Sequence, residues 1–269
     1  MLGQAKKSMG QNFLKSPGIL DLLVETGQVD GHDIIVEAGP GKGALTEHLL
    51  GCAREVIAVE KDEMLCVYLG LKFKNEIAAG RLKLITGDIL DFDPAVSNLQ
   101  PSGYKIIANI PYYITGQFIR HFLSEVGQPS KMVLMVQREV AKRIIGSDGK
   151  ESLLSLSVKA YGTPRYVETV KAKMFRPVPK VDSAIILIDN ISKNFFKHFV
   201  EKKFFELLRL GFSSKRKKLV GNLSRLLPRE EVERVFREHG LDVNLRAEDL
   251  PLAKWKIITN SFAVCSKQA

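Results

Sequence analysis

The chain has 269 residues, 45% of them apolar, enough for one large packed domain or a core domain with a smaller companion. Its formal net charge is +10 and unevenly placed: residues 190–269 hold 17 Lys and Arg against 9 Asp and Glu, leaving +2 for the first 189. No apolar run is long enough to span a membrane, residues 1–11 lack the apolar segment of a secretion signal, and Cys52, Cys66 and Cys265 form neither an even framework nor a metal spacing, so a soluble cytoplasmic protein without disulfides or metal is expected.

In chain order, the apolar run Ile34-Ile35-Val36 predicts a strand, and Glu37-Ala38-Gly39-Pro40-Gly41-Lys42-Gly43 a glycine-rich turn that opens a helix over Ala44 to Leu50. Such a corner suits a nucleotide-like ligand, because glycine lets the backbone approach it closely. Glu37 places a negative charge where a diphosphate would be repelled, whereas S-adenosylmethionine has no phosphate and carries an ammonium and a sulfonium. Lys42 lacks the Walker spacing and the Ser or Thr that would follow it in a P-loop.

Glu60 closes the next strand, Val56–Val59, and its carboxylate can accept from both hydroxyls of a ribose. Asp88, after the run Leu82–Ile85 and Gly87, is placed to accept from an adenine amine; alone it would read as a helix N-cap. Asn109-Ile110-Pro111-Tyr112 follows the run Lys105–Ala108. There the Asn109 side-chain oxygen and the Ile110 carbonyl can accept from an amine whose lone pair is delocalised, Pro111 stiffens the turn, and Tyr112 offers a stacking face; the alternative is a strand-ending turn with a packing tyrosine. Ligands of parallel sheets lie outside the carboxyl ends of the strands, so four such ends in order point to one site.

Further strands are expected at Met132–Val136, Tyr166–Val170 and Ala184–Ile188, giving a mainly parallel α/β sheet covered on both faces. After Asp189 the pattern becomes helical. Leu219, Leu223, Leu226 and Leu227 share one face, as do Val232, Val235, Phe236 and His239, while Phe195, Phe196, Phe199, Phe204 and Phe205 read as core. The expected division is residues 1–189 and a basic helical domain at 190–269. Its charge suits either a polyanion or a solvated helical surface. Lys6, Lys7 and the run Lys215, Arg216, Lys217 and Lys218 are candidate phosphate contacts for such a polyanion. The five histidines are scattered and receive no catalytic role.

Gly10 to Leu14, Glu37 to Gly43, Glu60, Gly87-Asp88, Asn109 to Tyr112 and Phe175-Arg176-Pro177-Val178-Pro179-Lys180-Val181-Asp182-Ser183 together resemble the rRNA adenine N6-dimethyltransferases, most of all their bacterial small-subunit branch. The likeness continues through Phe212 to Leu219 and Arg246 to Leu250. It implies a Rossmann-like class I S-adenosylmethionine-dependent methyltransferase core with a small all-helical C-terminal domain. It also implies dimethylation of two adjacent adenosines near the 3′ end of 16S rRNA, during small-subunit biogenesis, by a monomer. By the same likeness Gln11, Asn12, Leu14, Glu37, Gly39 and Gly41 would line the cofactor site, together with Glu60, Lys61, Asp88, Ile89 and Asn109. Phe175 would face Tyr112 across a flipped adenine. Three rivals stand beside this reading: a large-subunit rRNA methylase conferring macrolide resistance, a protein-glutamine methylase with a related Asn-Pro-Pro-Tyr turn, and a ribosome-assembly factor whose catalysis is secondary. The basic C-terminal domain and the Gln11–Leu14 segment speak against the glutamine methylase.

Overall fold

The structure, a computed structural model, describes residues 12–124 and 127–265, with side chains as far as residue 262. The expectations placed on Lys6, Lys7 and Gln11 lie outside these residues.

A short strand β1 (Phe13–Leu14) leads into α1 (Pro17–Gly27), whose proline stands in the first turn, where its missing N–H leaves no bond unmade. The sheet follows as β2 (Ile34–Ala38), α2 (Ala44–Cys52), β3 (Glu55–Glu60), α3 (Glu63–Lys72), α4 (Lys74–Ala78), β4 (Leu82–Thr86), β5 (Lys105–Asn109), α5 (Thr115–Ser124) and β6 (Lys131–Gln137). After α6 (Arg138–Ile145) and α7 (Leu153–Lys159) come β7 (Thr163–Val170), β8 (Phe175–Arg176) and β9 (Ser183–Asp189).

Seven strands lie in the order β4-β3-β2-β5-β6-β9-β7. β2 to β6 are mutually parallel, and β9 runs antiparallel to both of its neighbours. Central strands are buried on both faces, which is why Ile35, Val36, Ile106, Ile107, Met132 and Val133 occur as continuous apolar runs. All seven expected runs are strands of this sheet. The connections α2, α3 and α5 return the chain to the same edge, so the ends of β2, β3, β4 and β5 converge. β1 and β8 pair separately as an antiparallel ribbon, Phe13 opposite Arg176 and Leu14 opposite Phe175.

The helices α8 (Glu201–Gly211), α9 (Leu219–Leu223), α10 (Arg229–Glu238) and α11 (Leu252–Cys265) complete the chain. Trp255, Phe204 and Phe236 are fully buried, and Phe195, Phe196, Phe199, Phe204 and Phe205 pack with ring centroids 5.1–6.0 Å apart, as a core reading requires. The expected leucine face from Leu219 to Leu227 is interrupted. α9 ends at Leu223, the Leu226 N–H closes a turn on the Leu223 carbonyl at 2.9 Å, and Leu226 is exposed. Pro228 disfavours helix in the residue before it and stands at the cap position ahead of α10.

The chain divides into two compact units, one of the described residues up to Ala141 with Gly162–Ile191, the other of Lys142–Tyr161 with the residues from Ser192 onward. A single boundary after residue 189 therefore needs correction: Lys142–Tyr161 belongs with the C-terminal helices. α7 packs against α8, the Glu151 N–H donates to the Glu248 carbonyl at 2.8 Å, and Lys150 pairs with Asp249. With this segment included, the second unit carries a formal +10 and the sheet unit is neutral.

Candidate active site

A cavity of about 300 Å³ opens at the carboxyl ends of β2, β3, β4 and β5. Asn12, Leu14, Glu37, Gly39, Gly41, Glu60, Lys61, Asp88, Ile89, Asn109, Ile110, Pro111 and Tyr112 all line it. Leu20, Leu23, Leu45 and Val59 supply apolar wall.

The turn that floors the cavity owes its shape to its glycines. Gly39, Gly41 and Gly43 have φ of 65°, 58° and 74°, the left-handed region that costs a residue with a Cβ. A Cβ on Gly43 would lie 2.5 Å from the Phe73 ring, and one on Gly41 2.9 Å from Phe13, whereas Gly39 faces open space. The first glycine leaves room for a ligand and the other two let neighbouring side chains close over the turn.

Glu60 ties the second strand end to this turn. Its Oε2 accepts the Gly41 N–H at 3.0 Å and its Oε1 the Asp62 N–H at 2.9 Å. Each carboxylate oxygen keeps a further lone pair for a ligand hydroxyl. Burial pushes the Glu60 carboxyl upward, and the two N–H donors oppose that shift. Glu37 is 1% exposed and accepts from the Thr46 hydroxyl at 2.7 Å. Burial raises its pKa to about 8, with the Glu60 charge adding to the effect. Asp88 caps the short turn Ile89–Asp91 through the Leu90 N–H at 3.0 Å and accepts from Lys61 Nζ at 2.7 Å, which holds its carboxyl below the usual range. The N-cap reading of Asp88 and its place on the cavity wall are both correct.

At the fourth strand end, Asn109 Nδ2 donates to the Asn12 carbonyl at 3.2 Å. That bond fixes which way the amide points and leaves Oδ1 as the acceptor. Pro111 begins a short turn over Tyr112–Ile114, and the Thr115 hydroxyl donates to the Tyr112 carbonyl at 3.1 Å. The half-buried Tyr112 ring is held at its far end by a 2.7 Å hydrogen bond between its hydroxyl and that of Ser183, which is fully buried at the start of β9.

Phe175 departs from expectation. It is 1% exposed, packs in the core cluster that includes Leu14, Leu20 and Val170, and does not line the cavity. Pairing of β8 with β1 turns Leu14 and Phe175 to the same buried side, so the ring serves as core. The exposed aromatic at the cavity is instead Tyr113, 64% exposed. Tyr113 and Thr46 were missed because no motif marks them, and Ser183 because it only ends one: each gains its place from a partner or a cavity that only the fold supplies.

Lys215, Arg216, Lys217 and Lys218 are all exposed. Their turn is fastened by Asn222, whose Nδ2 donates to the carbonyls of Gly211 and Ser214 at 2.6 and 3.2 Å, and Lys218 donates to Asn244 at 2.6 Å. Among the described residues no group of three His, Cys, Asp or Glu side chains could hold a metal ion, and no helix is long and apolar enough to cross a membrane.

A model of the ribosomal RNA adenine dimethylase family matches residues 3–264. The chain belongs to that family. It is 40% identical over 262 residues to the ribosomal RNA small subunit methyltransferase A of Dehalococcoides mccartyi strain CBDB1, covering 97% of this chain and 89% of the relative. The protein of the same name from Thermosynechococcus vestitus is 36% identical over 263 residues, 94% of each chain. Among solved structures, a dimethyladenosine transferase from Plasmodium falciparum superposes with a TM-score of 0.79 at 26% identity, over 93% of this chain and 98% of that one. The 23S rRNA methyltransferase ErmE superposes at 0.75 with 25% identity, over 94% and 100%. The fold is thus that of the class I methyltransferases with a helical C-terminal region, and the enzyme is an S-adenosylmethionine-dependent rRNA adenine dimethyltransferase. The cavity fits this cofactor: an apolar wall with the carboxyl acceptors of Glu60 and Asp88 at its strand ends suits a nucleoside without phosphates, while the negative charge expected at Glu37 is held back near neutral pH by burial.

Proposed function

We propose that this dimethylase transfers two methyl groups to N6 of each of two adjacent adenosines near the 3′ end of small-subunit 16S rRNA, as a cytoplasmic monomer during small-subunit biogenesis. The observation that carries the reading is the Asn109 amide, anchored through Nδ2 so that Oδ1 is offered at the cavity. The small-subunit target rests on relatives of that name matched over nearly the whole chain.

S-adenosylmethionine supplies a methyl group activated on a sulfonium. Glu60 would hold ribose hydroxyls with the lone pairs its backbone donors leave free, and Asp88 would accept from the adenine amine. Glu37 would face the cationic end, whose charge favours its ionised form, and Asn12, Leu14, Gly39, Gly41, Lys61 and Ile89 complete the wall. Asn109 Oδ1 and the Ile110 carbonyl accept from the N–H groups of the target N6, which draws its lone pair out of conjugation and orients it; the bound cofactor would give up its methyl group to that nitrogen with cleavage of the carbon–sulfur bond and leave as S-adenosylhomocysteine. Tyr112 gives the extruded base a stacking face, which offsets part of an extrusion cost of a few kcal/mol. Once methylated, N6 is a strong acid and gives its proton to water. Lys6, Lys7 and Lys215 to Lys218 contact RNA phosphates.

Two rivals make different predictions. An assembly factor would bind undermethylated small subunits and leave them unmodified, and a large-subunit methylase would ignore them. The test is nucleoside analysis of undermethylated small subunits after incubation with the protein and S-adenosylmethionine. Dimethyladenosine is expected with wild-type protein and none with Asn109→Ala, which should still bind subunits; subunits bound but unmodified by the wild type would overturn the reading.

A further inference from the structure

The ribbon of β1 and β8 has a buried and an open face. Leu14 and Phe175 point inward, while Arg176 and Lys15 are exposed, and the Lys15 N–H extends the ladder by donating to the Met174 carbonyl at 3.0 Å. Lys173 and Lys180 are exposed on either side of β8. Among the described residues none of these four cations has an acidic partner, whereas Lys171 nearby is paired with Asp182 at 3.1 Å. The segment from Phe175 to Ser183, which carries Arg176 and Lys180, is fixed at both ends, by β1 at Phe175–Arg176 and by the Ser183–Tyr112 hydrogen bond. Lys15 itself lines the cavity.

We propose that Lys15, Lys173, Arg176 and Lys180 form a phosphate-binding rim on the methyltransferase unit, which takes the RNA strand flanking the target adenosine. The proposal rests on the functional reading above and places RNA contacts in a unit whose formal charge is zero. Lys15 lines the cavity with Tyr112, and Arg176 lies on the ribbon that pairs with the strand before Lys15, so cations without acidic partners lead away from the face meant for the base, where a flipped nucleotide needs its neighbouring phosphates held. A single free phosphate would call for cations converging on one point. Here they are spread over a ribbon and a loop, with Val178 and Val181, 59% and 45% exposed, between and beyond them. That mixture matches a strand, which presents one charge per nucleotide and apolar sugar edges between.

The test measures binding of undermethylated small subunits across a salt series for wild type, for Lys173→Gln/Arg176→Gln/Lys180→Gln, and for Arg54→Gln/Lys74→Gln/Lys83→Gln, an equal charge loss at exposed positions near the opposite edge of the sheet. Lys15 is left intact because it lines the cavity. Three lost contacts to single-stranded phosphates should reduce the slope of log affinity against log salt by about 2 and weaken binding about tenfold or more at low salt. Cofactor affinity, measured by calorimetry without RNA, should be unchanged, and the control triple should keep the wild-type slope. Rim and control variants with equal slopes, or a rim variant that binds like wild type, would overturn the proposal. Failure of wild-type protein to methylate or bind small subunits would instead overturn the functional reading, and this one with it.

Discussion

In the proposed reading Asn109, Glu60 and Tyr112 each do one job that a single substitution removes. Asn109→Ala deletes the oriented acceptor while sparing the cofactor's other contacts, so turnover should fall about a hundredfold or more with cofactor affinity little changed, read by single-turnover kinetics beside calorimetry. Glu60→Ala removes a charged acceptor and should weaken cofactor binding roughly tenfold or more. Ser183→Ala and Tyr112→Phe break the same hydrogen bond from opposite ends. Each should lower kcat/KM for RNA with cofactor affinity unchanged, and the double variant should be no worse than the poorer single one; additive losses would mean that Ser183 does not act through Tyr112. Glu60, Asp88 and Asn109 were legible in the sequence because each ends an apolar run in a parallel sheet. Ser183 and the Asn12 carbonyl were not, since their partners lie 71 and 97 residues away. Phe175 was misplaced because its motif does not reveal that β8 turns it inward.

Among the elements, the glycine turn and the helix it opens carry the sharpest constraints. Gly43→Ala meets both a left-handed backbone and the Phe73 ring, and should cost roughly 2–4 kcal/mol in denaturant unfolding. Gly39→Ala meets no protein atom, so its stability loss should be smaller and its main effect a loss of cofactor affinity. Glu37 between β2 and α2 gives a pH signature. With its carboxyl at about 8 in the folded chain and 4.5 ordinarily, the folded state holds a proton that the unfolded state has released, so stability falls as pH rises from about 5 to 8 and then levels. Thermal unfolding of wild type and Glu37→Gln should therefore diverge over that range, the variant lacking this part of the decline; parallel curves would contradict it. Strands were the most legible elements, because a sheet buried on both faces writes itself as apolar runs. Helical periodicity was less reliable where a proline intervened, as Pro228 does after α9.

Over the whole molecule the charge follows the structural division: a neutral sheet unit and a helical unit of +10. The composition shift after Asp189 was visible in the sequence, but Lys142–Tyr161 was not, because it lies between two strand patterns and reads as an ordinary crossover. The exposed run Lys215 to Lys218 should steepen the salt dependence of subunit binding, and neutralising it should flatten that slope; an unchanged slope would remove these residues from the interface. The central claim is tested most directly by transfer of labelled methyl from S-adenosylmethionine to undermethylated small subunits, undermethylated large subunits and free protein, side by side. The account predicts label only in small-subunit rRNA, recovered as dimethyladenosine. Label in large-subunit rRNA or in protein, with none in small subunits, would contradict it.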